Sequence, residues 1–201
     1  MKGDFSKWGL SPADNYSGVL HQQGRVLLDQ DWNAAQQIQS LWRETAGKDI
    51  VGDGLVAIPV AAPNSLKLVQ ATATATGVEI DMLPGRGWVD GILLRYGGGG
   101  PLKADYLRPP LQTPAATPAT IAAGVRDAVV LEVWDEPISA YQLPKQLLEP
   151  ALGGPDTTER VKTSMALRLY RLAAAEDCGD LRLDDDFGAK GKLTVTPSPT
   201  T

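Results

Sequence analysis

The sequence is poor in the residues that most often carry chemistry. It holds one cysteine, Cys178, and one histidine, His21, among 201 residues. A single cysteine excludes an intramolecular disulfide framework and suits a chain folded in a reducing compartment. A single histidine means that any Ser/His/Asp or Cys/His centre would rest on His21, with Asp29 or Cys178 as distant partners. No Gly-x-Ser-x-Gly turn accompanies it, so His21 reads as a turn or surface residue. No run approaches the ~20 apolar residues that a membrane-spanning helix needs. The start, Met1-Lys-Gly-Asp-Phe5, lacks the apolar core of a secretion signal. A soluble protein made in the cytoplasm, with no direct membrane span, is expected. Lys and Arg number 19 against 24 Asp and Glu, a net charge of -5. Phosphate binding needs a basic surface, so nucleic acid is not expected as a partner.

Ligand motifs are also missing. Val51-Gly-Asp-Gly54 and Gly97 to Gly100 are glycine-rich, but neither is followed by Lys-Ser/Thr at a helix start, so they do not cradle a phosphate. Asp184-Asp-Asp-Phe-Gly-Ala-Lys-Gly superficially resembles a calcium loop, yet it lacks the alternating acidic ligands and the terminal Glu. No metal ligand, cofactor site or catalytic residue is assigned.

Hydrophobic residues make up 43% of the chain, enough for a core, and 21 Gly with 15 Pro point to turn-rich β structure. The organising stretch runs from Tyr16 to Asn33. Val19-Leu20 and Val26-Leu27-Leu28 are extended in character and flank a polar His21-Gln-Gln-Gly24 turn. From Asp31 the period changes. Ala35, Ile38, Leu41, Trp42 and Thr45 fall mostly three or four apart, as on one helix face. Asp29 or Asp31 can accept from the first free helical N–H groups, and Gly47 is a natural stop. This predicts an extended arm leading into one long helix, over residues 1–47. The later strands are expected to pack around it.

Residues 48–201 read as a β-rich domain. Strands are predicted at Leu66 to Ala71 and at Val78 to Leu83, where Val78, Ile80 and Met82 alternate with Glu79 and Asp81. Pro84 to Gly87 reads as a turn, and Trp88 to Tyr96 as the returning strand, with Asp90-Gly91 allowing a bulge or tight turn inside it. Residues 97–120 read as a long Pro-rich loop. Asp127 to Trp134 is apolar on both faces, as in a central strand. Arg160 to Leu169 alternates cleanly, with Val161, Thr163, Met165, Leu167 and Leu169 inward. Gly191 to Thr196 is a last strand. The fold class is therefore α+β, mainly β: an extended N-terminal arm and one long helix packed on an antiparallel β-sandwich or barrel-like domain.

Aromatic residues and carboxylates offer two further readings. Trp32 and Trp42 lie ten residues apart on the helix, so their directions differ by roughly 80° and they form no single flat platform. Core packing is expected for all five tryptophans but Trp8, while Trp32 also stands beside the arm. Exposed Trp or Tyr and acidic loops would suit a carbohydrate-binding module of a fibre. The pairs Asp29/Asp31 and Asp81/Asp90, with Glu132/Asp135/Glu136, would suit a glycan-cleaving enzyme only if two of them met in a cleft. Residues 1–18 carry Phe5, Trp8, Leu10 and Tyr16, an apolar content costly to leave in water. With Arg25, Asp29, Asp31 and Trp32 they form the candidate partner contact. Arg25 is expected to bridge the acidic helix start to the arm through its planar fork of donors.

Five ordered stretches carry a resemblance: Met1-Lys-Gly-Asp-Phe-Ser, Tyr16 to Asn33, Gly85-Arg-Gly-Trp-Val-Asp-Gly-Ile-Leu93, Leu131-Glu-Val-Trp134 and Leu148-Glu-Pro-Ala-Leu-Gly-Gly-Pro-Asp-Thr-Thr158. Together they resemble an uncharacterised domain family encoded in gene clusters of phage-tail-like contractile injection systems. The resemblance extends to Val195, and members often continue past the point where this chain ends. It implies a non-enzymatic structural component near the baseplate or fibres, present in multiple copies and bound to neighbouring subunits. It also implies synthesis in a bacterial cytoplasm followed by incorporation into the particle. It supplies no catalytic residues.

Overall fold

A computed structural model describes residues 5, 10–52, 56–74, 77–106 and 125–178. The chain divides into two compact units. One comprises Met1–Ala46 with Asp135–Lys162, the other Gly47–Trp134 with Thr163–Thr201.

In the first unit, a short 3-10 turn at Pro12–Asp14 ends on Asn15, which takes a left-handed φ of 56°. An extended segment follows and enters helix α1, Asp29–Val51. Asp29 and Asp31 occupy its first turn, where the free N–H groups favour negative charge. Gly47 does not stop the helix, which continues through Lys48 to Val51. Ile38 is buried, as is Gly47. The two lie nine residues apart, roughly 180° around the helix, so its two halves bury opposite sides. Trp42 follows Ile38 into the region where burial changes sides, and it is left 68% exposed. The expected continuous face through Leu41 and Trp42 is therefore corrected. The unit also holds a short helix α2, Pro144–Leu147, and a 3-10 turn at Pro150–Leu152. Ile138, Ala140 and Leu147 form its small apolar cluster.

The second unit holds most of the β structure. Strands β1 (Val56–Ala57), β4 (Gly85–Val89) and β5 (Ile92–Tyr96) make a three-stranded sheet in the order β1-β4-β5. Strands β2 (Leu68–Thr74), β3 (Gly77–Met82), β6 (Leu102–Tyr106), β7 (Asp127–Ile138) and β8 (Arg160–Arg171) make a five-stranded sheet in the order β2-β3-β6-β8-β7. Strands β7 and β8 each run on into the first unit. The fold is α+β and mainly β. Pairing of β6 with β8 is parallel, so the larger sheet is mixed rather than purely antiparallel.

The alternation in β3 is as expected, with Val78, Ile80 and Met82 buried. In β8, Leu167 and Leu169 are buried, while Val161 at its start is exposed. Four expectations are corrected. Pro84 to Gly87 is no turn: Gly85 to Val89 is strand, and Asp90-Gly91 turns it back as β5. Both turn residues have positive φ, 45° and 78°. The five-residue strand β6 lies inside the stretch 97–120 read as loop, and it occupies the middle of the larger sheet. Among the described residues, strand β7 stands at an edge, not the centre, since β8 is the strand that pairs with it. The segment at Leu66 begins later, since Leu66 takes φ 59° and β2 starts at Leu68. The strand expected at Gly191 to Thr196 and the acidic run Asp184 to Asp186 lie outside the described residues.

Among the described residues, two larger apolar clusters hold this unit, beside a small one of Ala128 and Leu172. Val78, Ile80, Ala104, Tyr106, Leu167 and Leu169 pack on one another within the larger sheet. Leu66, Met82 and Leu94 form the second, with Tyr96 from the small sheet and Leu102, Leu131 and Met165 from the large one. That second cluster draws side chains from both sheets. At one end, Gly47 of α1 meets the Asp90-Gly91 turn, and a Cβ added at Gly47 would lie 2.8 Å from the Gly91 Cα. Lys48 seals the contact with an ion pair to Asp90 at 3.1 Å.

Candidate functional site

The expected contact residues fall in the first unit. The segment from Tyr16 to Leu28 runs extended and reverses at Gln22 to Gly24. Gly24 takes φ 71°, and the Arg25 N–H donates to the Gln22 carbonyl at 3.4 Å. Glycine adopts that conformation with the least strain, which favours a turn there. Neither limb belongs to a sheet. Tyr16 is exposed, Leu20 is 95% and Val26 81% exposed, and Leu27 and Leu28 are exposed beside them.

An open recess of about 350 Å³ is lined by the apolar Val19, Leu20, Val26 and Leu27 and by the charged Arg25 and Asp31. The His21 ring leans on Trp32 with centroids 5.6 Å apart and planes tilted by 40°. That contact gives the histidine a surface role. Trp32 remains 56% exposed, so it faces solvent at the mouth of the arm rather than the core. Nearer the N-terminus, the Leu10 N–H donates to Gln37 Oε1 at 2.9 Å, which holds the arm against α1. Phe5 is half-buried. Trp8 lies outside the described residues.

The structure thus brings Arg25 and Asp31 into one recess and sets Trp32 beside His21. Asp29 sits in the first helical turn. None of the ion pairs described here involves Arg25. Sequence reading missed the extent of exposure at Leu20, Val26, Leu27 and Trp42. The signal was present: two apolar limbs around a polar turn with no neighbouring run to pair with.

Two of the carboxylates considered for glycan chemistry, Asp90 and Glu132, are held in ion pairs within the second unit. Asp90 holds Lys48. Arg168 bridges Glu132, at 2.8 Å, and Asp105, at 3.7 Å. The tightest cluster involves residues that the sequence did not single out. Tyr106 donates through its hydroxyl to Asp127 Oδ2 at 2.7 Å, and Arg171 donates through Nε to Asp127 and through a terminal nitrogen to the tyrosine oxygen. The guanidinium carbon lies 5.6 Å from the Tyr106 ring centroid. Burial pushes the Tyr106 phenol above its ordinary value, and its hydrogen bond to Asp127 adds to the rise. The same carboxylate holds the Arg171 guanidinium in its charged form. Each group satisfies another, so the three strands β6, β7 and β8 are clasped at one end.

Among the described residues, no group of three or more His, Cys, Asp or Glu side chains is placed to hold a metal ion. No described helix is long and apolar enough to cross a membrane. No curated protein and no solved structure matches the chain. A family's sequence model matches residues 1–187, a span that takes in the arm, α1 and every strand described, and the chain therefore belongs to that family of unknown function, DUF6519.

Proposed function

We propose that this protein is a non-enzymatic assembly subunit of a phage-tail-like contractile injection particle, seated near the baseplate or fibre attachment. It is made in the bacterial cytoplasm and joins neighbouring subunits through its N-terminal arm. The observation that carries this reading is the solvent-exposed apolar arm. Leu20, Val26, Leu27 and Leu28 flank a turn on a segment without a strand partner. Burying four such side chains would contribute roughly 6–12 kcal/mol at about 1.5–3 kcal/mol each. Association costs about 4–15 kcal/mol in lost freedom. The arm alone therefore falls near break-even, and the exposed rings of Trp32 and Trp42 supply the further area that a stable contact needs.

The test is the full chain carrying Leu20→Asp with Val26→Asp, expressed with the rest of its gene cluster. Both positions are exposed, so folding stability should stay within about 0.5 kcal/mol of the parent. The variant should no longer co-purify with sheath and tube. A folded variant found in particles at the parent's stoichiometry would remove the arm from the contact. A parent protein always found free would remove the particle.

A carbohydrate-binding module is the second reading, favoured only by the exposure of Trp32 and Trp42. Their differing directions on α1 argue for two separate contacts and not one sugar platform. A glycan array with hits lost on Trp42→Ala would favour this reading over the first.

A further inference from the structure

The two edges of the five-stranded sheet are built differently. Edge strand β7 carries Glu132, Asp135, Glu136 and Pro137, the charges and proline by which natural sheets discourage further pairing. Edge strand β2, Leu-Val-Gln-Ala-Thr-Ala-Thr over Leu68–Thr74, has neither charge nor proline. Its five central residues are all exposed. It pairs with β3 on one side, and no strand flanks it on the other among the described residues. A register shift between Leu68 and Gln70 leaves Gln70 to Thr74 as a regular run. Such a run presents main-chain donors and acceptors along its outer side, ready to template another strand.

We propose that the β2 edge is a self-association surface, pairing antiparallel with β2 of a second copy about a two-fold axis through Thr72. The occupant follows from the sequence of the run. Gln70-Ala-Thr-Ala-Thr74 is nearly symmetric about Thr72. In that register Thr72 faces the partner's Thr72, Ala71 faces the partner's Ala73, and Gln70 faces the partner's Thr74. No charge meets a like charge, and the central threonine pair is among the favourable cross-strand pairs. Two methyl side chains on the other face let the two copies meet without steric conflict. The symmetry makes the contact isologous, so it closes at two copies and does not propagate. At Thr74, the hydroxyl donates to the Gly77 carbonyl at 3.1 Å and closes the end of the run. The inference stands independently of the arm and of any particle.

The experiment is sedimentation velocity on the full chain over roughly 10 µM to 1 mM, the range suited to a small, weak interface. The parent should pass from monomer to dimer as its concentration rises. Thr72→Lys and Thr72→Glu, at an exposed position, should each fold and dimerise roughly fivefold more weakly, because like charges then face each other. An equimolar mixture of the two should recover the parent's association, because lysine then faces glutamate. A parent that stays monomeric throughout, or variants that dimerise as it does, would overturn the proposal. So would a mixture that fails to recover, since the second copy would then not meet at Thr72.

Discussion

The two units of this chain spend their apolar residues differently. In the sheet unit Val78, Ile80, Tyr106, Leu167 and Leu169 close on one another, while Ile50, Val60 and Val69 stay exposed. Among the described residues of the unit with the arm, Ile38 is buried and Ile138, Ala140 and Leu147 form a small cluster, while Leu20, Val26, Trp32 and Trp42 stay outside. A domain that could bury those side chains on itself would gain by doing so. The larger apolar clusters lie in the sheet unit, so most of the stability is expected to rest there.

The sharpest way to break the comparison is to open the core of the sheet unit. Ile80→Ala, at a side chain only 1% exposed, should cost about 2–5 kcal/mol in urea unfolding. A loss below about 1 kcal/mol would mean that the sheets do not carry the fold. Gly47→Ala should cost less and have an unexpected sign. In a free helix this change helps by roughly 1 kcal/mol. Here the new methyl meets the Gly91 backbone, with Cα and carbonyl oxygen both 2.8 Å away, so a loss of about 1–3 kcal/mol is expected. Stabilisation instead would show that the helix end moves freely off the turn.

A smaller effect is expected at the clasp. Tyr106→Phe removes a hydrogen bond worth about 0.5–1.5 kcal/mol at neutral pH. Its signature is the pH dependence. Because the folded phenol titrates above its ordinary value, near pH 10, its contribution is intact below that pH and falls as pH rises through the folded value. The parent should therefore lose stability in that alkaline range more steeply than the phenylalanine variant. Equal alkaline slopes would place the phenol outside the cooperative fold. The smallest effect belongs to Trp42→Ala, which should change stability by no more than about 0.5 kcal/mol because the ring is already in water. A loss of several kcal/mol would return Trp42 to a core and erase the contrast between the units.

The strands most legible in the sequence were those with strict period two, β3 and the second half of β8, because one buried face writes itself into alternate residues. Strand β6 was hidden. Leu102-Lys-Ala-Asp-Tyr106 alternates, but it is short and sits between a glycine run and a proline-rich stretch. Its central place depends on a parallel partner more than sixty residues away, which no local pattern announces. In the candidate site, the turn at Gly24 and the acidic helix start were readable from residue type. The recess and the His21–Trp32 contact were not, since they arise from how the two limbs fold back.

By itself the sequence determined the mainly β character, the long helix with its acidic first turn, the reversal at Gly24 and the poverty of catalytic side chains. These are local properties, set by side-chain period, backbone sterics and residue chemistry. Tertiary structure alone decided that Gly47 is a contact and not a stop, that Trp42 faces water, that β2 and β7 end the larger sheet among the described residues, and that Tyr106, Asp127 and Arg171 meet. Each of those depends on which distant backbone approaches, and that is set by packing the whole chain at once.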